Sequence, residues 1–272
     1  MARATRERYE SNRPRAVLFE GPPGTGKTLC ARILAARGGL PMVHVPVEAV
    51  MSKWFGESEK TLAAIFDACE ELGGAIVFID EVDALAGSRD GGGGGGAGGG
   101  GGGGGGMHEA TRRVLSVLLQ KVEGFDAASG AERRTTLVAA TNRRQDLDAA
   151  LLSRFNLSIR FELPDGPTRA AIFARYARQL TAGELGRLAA AAAGISPREI
   201  KEVCEDAERK WASVVLREVE AKQAKQAREQ EGQKGQQKKS VVGTPPFEMY
   251  EQSLAARRAS AETTDAARTH MV

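Results

Sequence analysis

The hydrophobic positions of the first 163 residues fall into short runs that alternate with longer amphipathic stretches. Most of the short runs are continuous rather than alternating, which is typical of strands buried on both faces of a parallel sheet. The runs that predict strands are AVLF at 16–19, MVHVPV at 42–47, AIVFI at 75–79, TLVAAT at 136–141 and LSIRFEL at 157–163. Apolar residues recur at helical spacing over 27–37, 58–72 and 107–122. This order predicts an α/β domain in which helices flank a parallel sheet.

The pattern changes after the sequence Pro-Asp-Gly-Pro at 164–167, where the strand-like runs stop. Such a break predicts a boundary, here to a small all-helical subdomain. Helical spacing continues over 168–180, 184–193 and 197–219, and once more after the prolines at 245–246. The segment 221–239 is rich in Lys and Gln and almost free of apolar residues, so it predicts a solvated helix extension that gives way to a linker.

These patterns divide the chain into five parts. They are an N-terminal segment 1–15, a large α/β subdomain 16–165, a helical subdomain 166–220, a polar linker 221–243, and a C-terminal helix and tail 244–272. The run at 91–106 is glycine except for Ala97 and offers no packing surface, so it predicts a flexible surface insert.

Composition narrows the class of protein. The 272 residues are 42% hydrophobic, enough to bury a substantial core. The formal net charge of +3 is too small to indicate a nucleic-acid or membrane partner by itself. Cys30, Cys69 and Cys204 are far apart within apolar runs, which favours a reducing compartment over a disulfide framework. No apolar run approaches the ~20 residues that span a bilayer, so we expect a soluble intracellular protein, in the cytosol or inside an organelle.

A glycine-rich segment, GPPGTGKT at 21–28, lies between the first predicted strand and the first predicted helix. It matches G-x-x-x-x-G-K-[ST], in which backbone N–H groups and a helix N-terminus surround phosphates. Lys27 would reach the β and γ phosphates, and the hydroxyl of Thr28 would bind Mg²⁺. The residues expected to contact the nucleotide are Gly21, Pro22, Pro23, Gly24, Thr25, Gly26, Lys27, Thr28 and Leu29.

Polar side chains follow two of the other predicted strands. Asp80 and Glu81 come after the apolar strand at 75–79, where Asp80 would hold Mg²⁺ and Glu81 would polarise a water for attack on the γ-phosphate. Asn142 closes the strand at 136–141 and would orient that water or contact the γ-phosphate. An asparagine after a strand is, taken alone, more often a turn residue.

The segment SKWFGESE at 52–59 places two large aromatic residues side by side among charged, small and polar ones. A strand would point Trp54 and Phe55 to opposite faces, so only one of them would easily reach a core. Trp54 either packs beneath a loop or has a function at the surface.

In this order the motifs resemble those of AAA+ ATPases of the AAA group: a phosphate loop, an aromatic pore loop, a strand ending in Asp-Glu, a strand ending in Ala-Thr-Asn, and an arginine that acts in trans. The similarity covers 16–216 and, more weakly, PPFEMYEQSLAARR at 245–258. It implies a P-loop NTPase fold in which 166–220 is the helical lid subdomain, with ATP and Mg²⁺ as cofactors. The chain is similar to protein-remodelling ATPases with a single AAA module and to organellar AAA proteins of plants and algae.

The resemblance also implies roles for residues that the motifs alone do not explain. Arg154 matches the arginine finger that acts in trans on the nucleotide of a neighbouring subunit, although an arginine on a surface turn is the commoner case. The family often has a second arginine just upstream, whereas this chain has Leu151, Leu152 and Ser153. Gly194 begins Gly-Ile-Ser-Pro, where the family has Gly-Phe-Ser-Gly near the adenine; the last glycine is replaced here.

The same resemblance matches the aromatic pair to pore loop 1. Lys53, Trp54, Phe55 and Gly56 fit its Lys-aromatic-apolar-Gly pattern. The match implies that Trp54 faces a central channel and holds an extended polypeptide, while Phe55 packs back against the loop. The implied function is ATP hydrolysis coupled to unfolding, remodelling or disassembly of protein substrates threaded through a homo-oligomeric ring, expected to be a hexamer.

Three alternatives to this function differ in how well the sequence supports them. An ATP-binding scaffold with little turnover is supported by the single arginine and by the 15 residues before the phosphate strand, where the family has a further helix and loop. The intact Lys27, Asp80, Glu81 and Asn142 argue against this scaffold. A metalloprotease would need H-E-x-x-H, but His108-Glu109 is followed by Arg112 in place of the second histidine. A helicase or clamp loader would need a basic channel, whereas Glu57 and Glu59 follow the aromatic pair, so nucleic acid is not expected as a partner.

Overall fold

A computed structural model describes residues 14–46, 57–86, 135–147, 149–229 and 243–269. The chain divides into two compact units, Met1–Glu162 and Leu163–Val272. The division lies three residues before the boundary predicted at 165. The predicted pore loop, glycine insert and helix at 107–122 lie outside the described residues.

The first unit contains a five-stranded parallel sheet in the order β2-β3-β4-β1-β5. Its strands are β1 (Ala16–Glu20), β2 (Met42–Val45), β3 (Ile76–Ile79), β4 (Thr136–Thr141) and β5 (Leu157–Arg160). This sheet confirms the predicted fold class. The predicted strands at 42–47 and 157–163 extended beyond the observed ends. β2 ends before Pro46, which has no N–H to continue the ladder.

Helices cover both faces of this sheet. The helices described in the first unit are α1 (Lys27–Gly38), α2 (Glu57–Glu71), α3 (Val82–Ala86) and α4 (Ala149–Leu152), with a 3₁₀ turn at Arg144–Asp146. Leu62, Phe66 and Cys69 of α2 pack with Leu18 and Val77 on one face of the sheet. On the opposite face a second cluster joins strand side chains to two alanines of α1, and its members include Phe19, Phe78, Ala31 and Ala35.

The strands differ in burial according to their place in the sheet. Every residue of β3 and β4 is buried, as the continuous apolar runs predicted. Every residue of β5 is exposed, and β5 lies at the edge of the sheet, where it pairs with β1. The three inner strands β3, β4 and β1 form the most buried part of the sheet, and the candidate site lies at their carboxyl ends.

The second unit is all helical in its described part, as predicted. Its helices are α5 (Gly166–Tyr176), α6 (Ala182–Ala191), α7 (Pro197–Glu229) and α8 (Phe247–Thr269). Phe173, Leu188, Ile200, Cys204 and Tyr250 belong to its core. The carboxylate of Asp165 caps α5 by accepting a hydrogen bond from Thr168 N at 2.9 Å, and a capping box of Thr181 and Glu184 begins α6.

Helix α7 ends at Glu229 and so extends into the range predicted as a linker from residue 221. The residues at 221–229 are Ala, Lys, Gln, Arg and Glu, all of which favour helix, and the first glycine follows at 232. The scarcity of apolar residues predicted a solvated helix extension in this range, but it did not predict where the helix ends. None of the helices described in the structure combines the length and hydropathy that crossing a membrane requires.

Candidate functional site

The glycine-rich segment forms a loop between the end of β1 and the start of α1. Gly21, Gly24 and Gly26 have φ values of 142°, 76° and 100°, which residues with a side chain rarely adopt. At Gly21 a Cβ atom would also lie 2.0 Å from the carbonyl oxygen of Phe161. Glycine is therefore required at this position both for its conformation and for the close approach of the chain after β5.

Lys27, the first residue of α1, is buried within this loop. Its Nζ donates to Gly21 O at 2.7 Å, to Pro22 O at 2.9 Å and to Asn142 Oδ1 at 2.8 Å. These three acceptors match the three hydrogens of the ammonium group. Burial lowers the pKa of Lys27 below its ordinary value, while the carboxylates of Asp80 and Asp83 act in the opposite direction. The loop thus holds a cation 2.8 Å from the amide that closes β4.

The two residues predicted to hold Mg²⁺ are in direct contact. Thr28 Oγ1 donates to Asp80 Oδ2 at 2.8 Å, and Asp80 Oδ1 accepts from Glu81 N at 3.0 Å. A hydroxyl and a carboxylate supply the hard oxygen ligands that Mg²⁺ prefers, usually beside water and phosphate oxygens. This donor set fits the ion that the sequence predicted.

Glu81 has an unusual backbone. Its φ of 53° lies in the left-handed region, and its side chain is exposed beside Asp80. A non-glycine residue in this region costs of order 1–3 kcal/mol, and such residues cluster at functional sites. The role predicted for Glu81, to polarise the attacking water, stays a prediction.

Two residues that the sequence analysis did not single out complete this region. Asp83 Oδ1 accepts hydrogen bonds from Thr141 Oγ1 at 2.9 Å and from Asn142 N at 3.2 Å. Thr141 is fully buried, and its Oγ1 accepts in turn from Arg143 N at 3.0 Å. The sequence signal for Asp83 was its place as the third acid of Asp-Glu-Val-Asp at 80–83. The spacing of residues after one strand does not reveal a contact with the residues after the next strand.

A second contact missed by the sequence analysis joins the phosphate loop to the chain that follows Asn142. Arg144 donates through one nitrogen to the carboxylate of Glu20 and to Ser158 Oγ. Glu20 is the last residue of β1, directly before Gly21, and it is largely buried. The pair therefore ties together β1, β5 and the 3₁₀ turn beside the site.

The remaining predicted residues lie in several places. Within the loop, Pro22 and Pro23 are exposed and Thr25 Oγ1 donates to Pro22 O at 2.8 Å. Leu29 on α1 is 60% exposed. Arg154 is exposed in the turn after α4.

The other predicted contacts lie in the second unit or outside the described residues. Gly194 belongs to the second unit, where it has a φ of 81° between α6 and α7. Lys53, Trp54, Phe55 and Gly56 lie outside the described residues. The structure thus brings together Lys27, Thr28, Asp80 and Asn142. The roles of all the predicted site residues remain predictions.

Comparison with known proteins agrees with this fold. Residues 17–163 match the model of the ATPase family associated with various cellular activities, AAA. A mitochondrial sorting homolog of Caenorhabditis elegans is 31% identical over 194 residues, covering 70% of this chain and 52% of that protein. Spastin of Ixodes scapularis is 33% identical over 198 residues, 71% of this chain and 28% of that protein. The proteasome-activating nucleotidase of Methanopyrus kandleri is 33% identical over 205 residues, 71% of this chain and 42% of that protein.

A solved structure supports the fold as well. The crystal structure of the FIGL-1 AAA domain in complex with ADP has a TM-score of 0.64 and 24% identity, and the match covers 88% of this chain and 70% of that one. The chain spans about half or less of the length of these curated relatives. The matched family model extends over more than half of the chain, and it confirms the predicted resemblance: this chain belongs to the AAA family of ATPases.

Proposed function

We propose that this chain binds ATP with Mg²⁺ and hydrolyses it to remodel protein substrates as part of a ring of identical subunits. The observation that carries the proposal is the convergence of Lys27, Thr28, Asp80 and Asn142 at one end of the sheet. These residues come from two strand ends and one helix start. A cation, an oxygen-rich ligand pair and a neutral amide are what nucleoside triphosphate chemistry requires.

Lys27 binds the phosphates in this proposal. Because all three of its hydrogens have acceptors in the structure, a phosphate oxygen must replace at least one of them. A charged phosphate is a stronger acceptor than a carbonyl or an amide oxygen, so this exchange is favourable. The backbone of Gly21–Lys27 and the N-terminus of α1 add further donors.

Thr28 and Asp80 would hold Mg²⁺, which would neutralise charge on the phosphates. Glu81 accepts a proton from the attacking water, and Asn142 orients that water through its carboxamide. Arg154 stabilises transition-state charge in the site of a neighbouring subunit, an effect of about 10³- to 10⁵-fold where such fingers are known. Gly194 contributes to the contact with the adenine.

Two relatives of this chain and the aromatic pair Trp54 and Phe55 support protein as the class of substrate. One relative is a proteasome-activating nucleotidase, and another is an outer mitochondrial transmembrane helix translocase of Danio rerio. Lys53, Trp54, Phe55 and Gly56 supply the predicted pore loop, in which Trp54 holds the polypeptide through its large apolar surface.

The test is ATP turnover measured against protein concentration for the wild type and the variants Glu81→Gln, Arg154→Ala and Trp54→Ala. We expect turnover per subunit to rise with concentration, and we expect Glu81→Gln and Arg154→Ala to abolish it. Trp54→Ala should keep ATP turnover and lose processing of an unfolded protein substrate. Turnover that is independent of concentration and insensitive to Arg154→Ala would exclude a shared site, and turnover no higher than that of Glu81→Gln would favour a scaffold.

A further inference from the structure

We infer that Asp83 is a positioning residue that holds Asn142 in register with Glu81. The inference rests on the proposed hydrolysis of ATP, since both partners are assigned to that reaction. The inference concerns the distance between the Glu81 carboxylate and the Asn142 carboxamide. These two groups follow two neighbouring strands and are proposed to act on the same water.

The contacts of Asp83 cross from one strand end to the next. Asp83 lies in the first turn of α3, two residues after Glu81, and its Oδ1 accepts from Asn142 N at 3.2 Å and Thr141 Oγ1 at 2.9 Å. β3 and β4 are already paired in register up to Ile79 and Ala139. The carboxylate therefore continues the connection between these strands beyond the last backbone pair, at the positions where the predicted catalytic groups begin.

Thr141 strengthens this connection because its hydroxyl takes part in two hydrogen bonds. It donates to Asp83 and accepts from Arg143 N at 3.0 Å, so the residues on both sides of Asn142 are fixed. Its backbone carbonyl accepts from Gly21 N at 3.3 Å. The peptide that bears Asn142 is thus held from the α3 side by Asp83 and from the phosphate loop by Gly21.

The side chain of Asn142 projects from this fixed peptide to Lys27, 2.8 Å from its Nζ. A shift of the peptide would move the carboxamide relative to both Lys27 and the base. Misplacement by about 1 Å can cost about 100-fold in rate even when no reacting group is removed. Loss of the Asp83 carboxylate should therefore affect the rate of hydrolysis more than nucleotide binding, which depends mainly on the loop.

A carboxylate in the first turn of a helix also stabilises that helix through its dipole. This role alone would predict that removing Asp83 lowers stability without a specific effect on Asn142. The two roles can be separated, because Asp83→Asn keeps an oxygen that accepts both hydrogen bonds and loses the charge. Thr141→Val keeps the shape of its side chain and removes only the hydroxyl.

The experiment compares Asp83→Ala, Asp83→Asn and Thr141→Val, each with intact Asn142 and in an Asn142→Ala background. Asp67→Ala, an exposed carboxylate on α2, serves as the matched control. The measurements are kcat and KM for ATP, the Kd of ADP by titration calorimetry, and the thermal midpoint.

We expect Asp83→Ala to lower kcat by about 10- to 100-fold, with the Kd of ADP and the activity of the control nearly unchanged. Asp83→Asn should restore most of kcat. In the Asn142→Ala background the same change should lower kcat by less than about 3-fold, because coupled residues are not additive.

The inference is overturned if Asp83→Ala reduces kcat equally in both backgrounds, if Asp83→Asn is as slow as Asp83→Ala, or if the Kd of ADP rises in parallel with the loss of kcat. It is also overturned if the only change is a lower thermal midpoint. In each of these cases the wild type would still hydrolyse ATP. Failure of the proposed function is a different result, in which the wild type hydrolyses no more ATP than Glu81→Gln. That result would remove the basis of both the proposed function and the inference about Asp83.

Discussion

At the scale of single residues, Lys27 shows how burial and function oppose each other. Lys27 is only 7% exposed, and the hydration lost on burial lowers its pKa despite the nearby carboxylates of Asp80 and Asp83. The three acceptors around Nζ compensate for part of that cost. The charge is therefore retained close to where phosphates are expected to bind.

Replacement of Lys27 by Met should weaken nucleotide binding. A hydrogen bond to a charged group contributes about 1.5–3 kcal/mol, so we expect the Kd of ADP to rise by roughly 10- to 100-fold. Titration calorimetry measures this change, with Lys201→Met as the control, because Lys201 is exposed on α7 and pairs with Glu205. An unchanged Kd would show that Lys27 does not contact the phosphates.

The lowered pKa adds a pH dependence to this prediction. Between the lowered pKa and 10.5 the unfolded chain keeps the proton of Lys27 and the folded chain releases it, so the free energy of unfolding gains a term that increases with pH. Lys27→Met lacks this term. The unfolding free energy of the wild type minus that of Lys27→Met should therefore increase as pH rises at the alkaline end. Urea titrations at a series of pH values measure this difference.

At the scale of elements, the ends of the strands decide how the site is assembled. Glu20 ends β1, Ser158 lies in β5, and Arg144 begins the 3₁₀ turn after Asn142, so one guanidinium joins three elements. Glu20 is 13% exposed and Arg144 is 49% exposed. The solvent around Arg144 limits the strength of the ion pair, and its effect should be closer to that of a surface pair than to that of a buried one.

Reversal of the charge at Arg144 should destabilise the first unit. Arg144→Glu places two carboxylates together, and Glu20→Arg combined with Arg144→Glu should recover part of the loss. We expect a coupling energy of about 0.2–1 kcal/mol from a double-mutant cycle in urea. The exposed pair of Arg198 and Glu202 on α7 provides a matched cycle. Strictly additive effects at Glu20 and Arg144 would contradict the proposed connection.

Much of the first unit could be predicted from sequence because its inner strands are continuous apolar runs. β3 and β4 match this pattern over their whole length, and the motif that follows β1 placed Lys27 and Thr28 directly. β5 was found as a strand, but its exposure at the sheet edge follows from strand order, which the local pattern does not contain. Asp83 and Arg144 were missed for the same reason, since their partners lie 58 and 124 residues away along the chain.

At the scale of the whole molecule, the second unit depends on a helix that is distant in sequence. α8 supplies Phe247, Tyr250 and Leu254 to a core formed with α5, α6 and α7. The side chain of Tyr250 is fully buried, and its hydroxyl accepts a hydrogen bond from Gln179 Nε2 at 2.8 Å. Gln179 Nε2 also donates to Pro245 O at 3.0 Å, so it fixes the start of α8. This unit therefore needs residues from both sides of the polar segment at 230–242.

Truncation of Tyr250 to alanine should consequently unfold the second unit under milder conditions. Removal of a buried aromatic side chain costs about 3–5 kcal/mol, whereas Tyr250→Phe removes only the hydroxyl and should cost about 1 kcal/mol. Trp211 provides a local signal, since its Nε1 donates to Gly243 O near the start of α8.

The measurement uses the Trp54→Phe background, in which Trp211 is the only tryptophan. Urea unfolding followed by Trp211 fluorescence should then shift strongly for Tyr250→Ala and slightly for Tyr250→Phe. Met249→Ala is unsuitable as a control because Met249 is partly buried and packs against the same core. Glu248 at the start of α8 is exposed, so Glu248→Ala should leave the midpoint nearly unchanged. If Tyr250→Ala left the urea midpoint of the Trp211 transition unchanged, α8 would contribute little to this core. The stability of the second unit would then come from α5, α6 and α7.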